Sequence, residues 1–507
     1  MLTASGGSGV SAMWVLSSIL IPMTAAFVLQ VLDYSAPERM GRWIALSAAA
    51  ACAASLGAAA VSWTGMETLR LGGWSPGLGI MLAADRMSAI FLVISAVGGA
   101  ASARVALFPF SKEQRRFSGL FFILWASLNG IITTGDLFNL YVFFEILAVC
   151  AYVLAGAAMT REALEAGFKY LVLGTVGALF LLLGVGLLYM GTGTLNLALL
   201  SRAAGAMAPG ALGAAAACIV TGLGLKIGMF PFHFWLPDAH SSASTGVSMI
   251  LSGVVVKASF YALLRIVFLL FPPVSVGFTV PDALLVLGVL SLVTGHLSAL
   301  GQFDVKRMLA WSTVAHMGYL LIGAGCASPL GIAGALLHAL NHGTGKMGLF
   351  LGAGSYASLA GSRDWRTFGG LGSRFPLETA AYALLAGSIA GIPPFAGFWS
   401  KWMIICAAAE KGAWIAALAV GAGTVLSCLY YVPFFYSLYG PSEEHGNVPE
   451  PGTPFPSGIL LTVLGASAVL FALLYLVPGL RDQFLSAASL VEDPEIYRQS
   501  VRAPIAP

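Results

Sequence analysis

Apolar stretches of about twenty residues follow one another along the chain, and few polar positions interrupt them. Each is long enough to cross about 30 Å of hydrocarbon as a helix. About fourteen such windows are centred near Ile19, Ala51, Val97, Trp125, Glu145, Phe180, Val220, Lys257, Gly288, His316, Leu340, Ile389, Val420 and Val469. The second is Ala-rich, and the seventh and twelfth are interrupted. The longest polar stretches are Gly361–Arg374, Gly440–Pro456 and the tail from Arg481, which leave no room for a water-soluble domain. The pattern predicts an all-α polytopic membrane protein of about 14 transmembrane helices. The N-terminal MLTASGGSGVSAMWVLSSILIP lacks the basic start of a cleaved signal and reads as the first span.

Composition agrees with this reading. The 507 residues are 58% hydrophobic and only 9% charged, against about 25% charged in soluble chains. Lipid is therefore the solvent. A net charge of +3 is too small to imply nucleic acid. Cys52, Cys150, Cys218, Cys326, Cys406 and Cys428 lie in apolar runs without a CxxC pair. They read as small buried hydrophobes. No Fe–S, haem, P-loop or dinucleotide fingerprint is visible, so no cofactor is expected and any redox chemistry belongs to a partner. With an outward N-terminus, Arg39, Arg42, Lys112, Arg115, Arg116, Arg161, Lys306, Arg307, Arg363, Arg366 and Arg374 fall on one side. Arg70, Arg202, Lys411 and the tail fall on the other. The chain is expected in the cell inner (plasma) membrane, and the positive-inside rule puts both termini on the non-cytoplasmic side.

Against this background six ionisable residues stand out. Lys169, Lys226, Lys257, Lys346, Lys401 and Glu145 all lie inside apolar runs. Each costs about 2.5–3.5 kcal/mol at bilayer depth, or roughly 15–20 kcal/mol together. They are expected to face the protein interior, a water file or one another. They also recur: Glu145 and His316 stand 171 positions apart, Lys169 and Lys346 177, and Lys226 and Lys401 175. Similar offsets point to two copies of a unit of about five spans. An odd number of spans inverts the second copy. The division expected is 1–116 for the N-terminal helices, 117–272 and 273–440 for the two repeats, and 441–507 for the last helix and tail. Both copies contain a broken span. Gly228 and Pro231 follow Lys226 in KIGMFPFHFWLPDAH, while Pro393, Pro394 and Gly397 precede Lys401 in GIPPFAGFWSK. Proline lacks an N–H and clashes with the carbonyl four residues back. Carbonyls freed at membrane depth are tolerable only beside protein or water.

Glu145, among Phe143, Phe144, Ile146 and Leu147, needs a cation. Lys226 or Lys169 is the candidate, and a static ion pair joining two spans is the plainer alternative. Burial and a second nearby ammonium disfavour the charged form of a lysine, which lets Lys226 or Lys257 release a proton near neutral pH. The plainer alternative for either is a side chain snorkelling to the interface. His338, His342 and Lys346 share a helix face, opposite a span carrying His316, and make a candidate relay. A hydrogen-bonded structural role competes for His338, His342 and His296. A metal site is not expected, because carboxylate and thiol ligands are missing nearby. Lys401 would end the path, or mark the membrane boundary. Asp136 and Asp304 read as helix caps, Asp238 and His240 as loop-shaping, and Lys306 and Arg307 as flanking the cytoplasmic face.

DLFNLYVFFE, KIGMFPFHFWLPDAHSSAS, KRMLAWSTVAHMGY, LNHGTGKMGLFL and GIPPFAGFWSK resemble the antiporter-like subunits of respiratory complex I. They also resemble the related Mrp-type multisubunit cation/proton antiporters and energy-converting membrane-bound hydrogenases. LPDAH, the HxxNHxxxK element and the tail VEDPEIYRQSV look most like the D-type subunit of Mrp antiporters or its hydrogenase counterpart. The resemblance implies fourteen spans, two inverted five-helix repeats and discontinuous seventh and twelfth helices around a hydrophilic axis. It implies Glu145 and Lys226 as a paired switch, Lys257 as the bridge, His316, His342 and Lys346 as its continuation, and Lys401 at the exit. It also implies a proton-translocating subunit, with cation/proton antiport of Na+ left open, assembled with other membrane subunits. One complex I paralogue carries glutamate in the twelfth span and the largest has a long lateral helix; this chain has neither. The rival readings are a stand-alone secondary transporter of a small solute and a non-conducting structural subunit. The first needs a roomy central pocket and the second neutral replacements of the buried charges. Which host complex and redox donor are involved, and the direction of transport, stay open.

Overall fold

The computed structural model describes residues 3–4, 9–35, 37–107, 117–271, 279–441, 455, 457–475, 479–492 and 494–499. Lys112, Arg115, Arg116 and the expected boundary at 272/273 lie outside them. The described chain is nearly all helix. In order the helices are α1 (Gly9–Ser35), α2 (Met40–Thr64), α3 (Arg86–Ala106), α4 (Ser118–Thr133), α5 (Leu137–Gly156), α6 (Arg161–Thr192) and the short α7 (Leu197–Ala203). Then come α8 (Pro209–Ile227), α9 (Trp235–Ser242), α10 (Thr245–Leu270), α11 (Val280–Leu300), α12 (Val305–Gly325) and α13 (Pro329–Ala360). The remainder are α14 (Pro376–Ala390), α15 (Ala396–Glu410), α16 (Trp414–Tyr439), α17 (Gly458–Tyr475), α18 (Leu480–Glu492) and α19 (Pro494–Gln499). Nine helices among the described residues are long and apolar enough to cross a membrane. The pattern of apolar windows did not announce a small antiparallel sheet of β1 (Thr3–Ala4), β2 (Glu67–Arg70) and β3 (Met81–Ala84), whose β2–β3 hairpin joins α2 to α3.

Local chemistry sets the helix ends. Asp85, Asp136, Thr160, Asp304 and Ser328 each accept a hydrogen bond from a backbone N–H in the first turn of α3, α5, α6, α12 and α13. This satisfies donors that the helix leaves open. Asp136 and Asp304 are thus the caps the sequence predicts. Inside the bundle α10 is central: 94% of its apolar window is buried. Its regularity is interrupted by a π-helical turn at Leu251–Val255. Small residues let neighbours approach closely, as lipid-solvated helices require. A Cβ on Gly318 of α12 would stand 2.5 Å from the carbonyl oxygen of Gly288 on α11. At the N-terminal end of the bundle, Asn129 of α4 ties three helices to its own. Its Oδ1 accepts from Ser95 Oγ at 2.7 Å, and its amide donates to Ser18 O at 2.7 Å and to Ser55 Oγ at 3.0 Å.

One hydrogen-bonded loop pattern occurs twice. Before α5, Leu137 N donates to Leu195 O and Leu197 N to Gly135 O; before α12, Val305 N donates to Arg363 O and Trp365 N to Phe303 O. Every atom of the second set lies 168 positions after its counterpart in the first. The two copies sit at opposite ends of α6. Glu162, in its first turn, pairs with Arg363 at 2.9 Å, whereas Asn196, just past its last turn, bridges Asp136. A helix of 32 residues is about 48 Å long at 1.5 Å per residue. A loop repeated at both ends of such a helix is what an inverted duplication requires.

Candidate functional site

The breaks expected in the seventh and twelfth windows are there. The first half-helix, α8, ends at Gly228 in a left-handed conformation, φ 73°. Its counterpart α14 ends at Gly391, φ 90°. Both breaks contain a cis X–Pro bond, Phe230–Pro231 and Pro393–Pro394. The freed carbonyls find partners across the break. Leu225 O accepts from Trp235 Nε1 of the second half at 2.8 Å. Ala390 O accepts from Lys401 Nζ at 2.7 Å. Lys226 therefore stands on the first half-helix of its span and Lys401 on the second.

Near the first break lies one acid–base pair. Lys226 Nζ is buried and 3.8 Å from Glu145 Oε1, with the Phe144 ring 5.3 Å away. That is ion-pair range without a hydrogen bond, so neither group is locked. Of the two cations offered by the sequence, Lys226 takes the role.

Lys169 does not. Its side chain is 46% exposed, and its ammonium bonds Asp238 Oδ2 at 3.0 Å and Glu165 Oε1 at 2.7 Å. It is the ninth residue of α6, whereas Lys346 is the eighteenth of α13. Apolar neighbours in sequence do not fix depth, and the two lysines are not equivalent positions. Lys169 instead lines a charged cavity of about 290 Å³ with Glu162, Asp238, Asp304, Arg307 and Arg363. Asp238 joins Lys169 to Arg307, whose Nη2 is 2.7 Å away. Lys306 lies deeper than a flanking residue: it is buried and donates to Ala243 O at 3.0 Å.

The other buried amines and imidazoles gather between α10, α12, α13 and α15. Lys257 donates to Ser252 O, a carbonyl of the π-helical turn. Lys346 donates to Leu309 O at 2.8 Å and Ser312 Oγ at 2.9 Å. His342 turns to the next group, its ring 4.6 Å from that of His316. His316 Nδ1 and His338 Nε2 are 2.9 Å apart, and His338 Nδ1 is 2.9 Å from Ser400 Oγ. His296 reaches Tyr319 Oη at 3.1 Å, and the face of Tyr319 lies 4.5 Å under Lys401 Nζ. His240 of α9 is wholly buried with neither ring nitrogen hydrogen-bonded, within electrostatic range of Lys257 and Lys346. Lys257, His342, Lys346 and Lys401 are all charge neighbours of one another or of the same histidines.

The structure thus brings together Lys257, His316, His342, Lys346 and Lys401, places Glu145 and Lys226 as a pair beside the first break, and leaves Lys169 apart. Sequence reasoning passed over Tyr319 and Ser400, because neutral hydroxyls in apolar helices carry no cost that draws notice. Spacing held the missing signal: Tyr319 is three residues after His316 and Ser400 directly precedes Lys401. Among the described residues no cluster of three or more metal-ligating side chains occurs. The titratable groups the site brings together are amines, imidazoles and one carboxylate.

The chain is similar to known membrane proteins. Residues 134–427 match the family described as NADH:quinone oxidoreductase/Mrp antiporter, transmembrane. The N subunit of the NADH-quinone oxidoreductase of Desulforudis audaxviator is 37% identical over 466 residues, covering 87% of this chain and 89% of that protein. The D-type subunit of the Na(+)/H(+) antiporter of Alkalihalophilus pseudofirmus is 33% identical over 447 residues, covering 86% and 88%. A chain of the archaeal membrane-bound sulfane sulfur reductase superposes with a TM-score of 0.87 at 29% identity, over 96% of this chain and 99% of that one.

Proposed function

Because this chain belongs to the NADH:quinone oxidoreductase/Mrp antiporter family of membrane subunits, we propose that it moves protons through the Glu145–Lys226 pair and the buried amine–imidazole group. It crosses the membrane fourteen times, with α8–α9 and α14–α15 as the two broken crossings. It does so as one subunit of a multisubunit membrane complex, and both termini lie on the non-cytoplasmic side. Exchange against Na+ is the variant that the antiporter relative favours. A stand-alone solute transporter fits less well, because the buried amines are each held by oxygens of the chain and the imidazoles stack in a file between them, an arrangement suited to a wire more than to a pocket.

One observation carries the reading. Three fully or nearly fully buried lysines, Lys257, Lys346 and Lys401, donate to oxygens of the chain and to no carboxylate. A permanently charged ammonium without a counter-ion is costly in such surroundings, so an amine that passes its proton onward bears that cost only while it is loaded. Glu145 loads the file by opening from Lys226: while the carboxylate is near, Lys226 keeps its proton, and when it withdraws the proton moves on. The pair's 3.8 Å separation leaves it free to open.

The test uses the assembled complex in sealed vesicles. Lys226→Ala and Glu145→Ala are each expected to cut proton translocation at least tenfold while the complex still co-purifies. Undiminished translocation in both variants would falsify the assignment.

A further inference from the structure

The end of the bundle opposite the charged cavity is covered by the chain's own tail. α18 and α19 lie across it. Gln483 accepts from Trp63 Nε1 at 2.9 Å, Ser486 from Arg86 at 2.6 Å, and Arg498 Nε donates to Ser201 Oγ at 2.9 Å. Phe484, Ala487, Ala488 and Val491 supply the buried face of α18. Tyr497, 4% exposed, places its ring 4.9 Å from the Arg265 guanidinium.

Beneath Tyr497 lies a buried polar chain that the route above does not use. Arg265 pairs with Asp85 at 2.7 Å. Ser88 Oγ donates to Asp85 Oδ1 at 3.3 Å and shares a hydrogen bond of 2.8 Å with Tyr261 Oη. Tyr261 lies four residues after Lys257 and four before Arg265, so the three share one face of α10. Lys257 points its ammonium towards the start of the helix, at Ser252 O and the Lys346 group, and Tyr261 stands one turn further on along the same face.

Building on the proton-conducting reading, we infer that Tyr261, Ser88 and Asp85 form a side branch from Lys257 to the tail face, and that Tyr497 is the latch that closes it. When Lys257 leaves Ser252 O for Tyr261, one proton can pass. The tyrosine hydroxyl takes the proton of the ammonium and gives its own to Ser88. Ser88 in turn gives its own to Asp85. Lys257 ends as a neutral amine and Asp85 as a neutral acid, and both hydroxyls are restored. Arg265 keeps its charge. Asp85 then releases its proton to water once Tyr497 is withdrawn. Burial alone would raise the Asp85 carboxyl, but the charge and hydrogen bond of Arg265 outweigh it and hold the group below the usual carboxylate range. Such an acid sheds a proton instead of storing it.

Two measurements on the assembled complex in vesicles test this, neither needing turnover. In a background with the native cysteines replaced, Ser88→Cys is labelled with a membrane-impermeant thiol reagent. Tyr497→Ala should raise the labelling rate at least tenfold. Tyr497→Phe, which keeps the covering ring, should leave it low, and Ala96→Cys, deeper on α3, should stay unlabelled throughout. Unchanged labelling of Ser88→Cys in Tyr497→Ala would overturn the latch, and so would equal opening at Ala96→Cys, which would make the tail a general staple. In the second measurement, Tyr497→Ala vesicles should lose an imposed pH gradient several-fold faster than wild type, and adding Asp85→Asn should restore the slow rate. A leak that persists in the double variant, or no leak at all, would overturn the branch. Because both readouts are passive, they stand apart from a failure of the Glu145–Lys226 assignment.

Discussion

At the scale of single residues, Tyr319 joins two halves of the buried cluster through different parts of one side chain. Its hydroxyl meets His296 and its ring lies under Lys401. Tyr319→Phe should lower proton translocation several-fold while leaving assembly unchanged, because the ring that holds the ammonium remains. Tyr319→Ala should lower it further, since a desolvated cation–π contact contributes about 2 kcal/mol. Equal effects in the two variants would mean that the hydroxyl has no separate part. Asp85 makes a pH-dependent contribution. Its folded-state pKa lies below the unfolded value, so its stabilisation is present above the unfolded pKa of about 3.9 and fades as pH falls through the lowered folded one. The melting temperatures of wild type and Asp85→Asn should therefore differ near neutral pH and draw together as pH falls below the usual carboxylate range; a constant gap would contradict this. The sequence showed which residues were costly but not where each lay. Lys226, Lys257, Lys346 and Lys401 sit where their price in lipid demands, buried beside protein atoms, and Glu145, itself partly exposed, turns one oxygen inward to Lys226. Lys169 is followed by apolar residues but preceded by Arg161, Glu162 and Glu165, and it lies in the charged cavity, one turn from its partner Glu165 near the start of its helix.

At the scale of elements, the two breaks were legible because glycine and proline act locally. Their consequence for neighbours was not. At Gly391, φ is 90° and an added Cβ would stand 2.9 Å from Lys401 Cδ. Gly391→Ala should therefore destabilise the break by about 1–2 kcal/mol and displace Lys401 from Ala390 O. The complex should assemble and translocate poorly; normal translocation would show that the lysine tolerates displacement. Asn129 is the opposite kind of feature, a fully used amide holding four helices. Asn129→Ala removes three interhelical bonds, worth about 2 kcal/mol at ~0.6 kcal/mol each. A lower melting temperature with per-complex translocation intact is the expected result. The duplicated loop shows why the sequence located the repeat without aligning it. Offsets of 171, 175 and 177 were taken between lysines and between an acid and an imidazole, while the backbone repeats at 168. Charges drift within a repeat; loop hydrogen bonds do not.

At the scale of the whole molecule, the proposed inversion would put the Asp136 loop and the Asp304 loop on opposite membrane surfaces. Single cysteines at Leu78, exposed in the β2–β3 hairpin, and at Arg366, beside the Asp304 loop, should react with an impermeant reagent from opposite sides. Reaction of both from one side would refute the inverted arrangement. The overall layering was readable from hydropathy alone, since the long apolar windows became helices. The three-stranded sheet escaped notice because its strands are two to four residues long, too short for any periodicity. The π-helical turn in α10 was equally invisible, yet it decides which way the second half of that helix looks. A wide turn holds one more residue than a plain one, so everything after it is rotated by about 100°. Removing one residue from Leu251–Val255 would keep the hydropathy and helical content of the span, but would swing Lys257, Tyr261 and Arg265 together away from α3 and α13. A single-codon deletion there would thus reorient three costly side chains at a stroke without removing any of them.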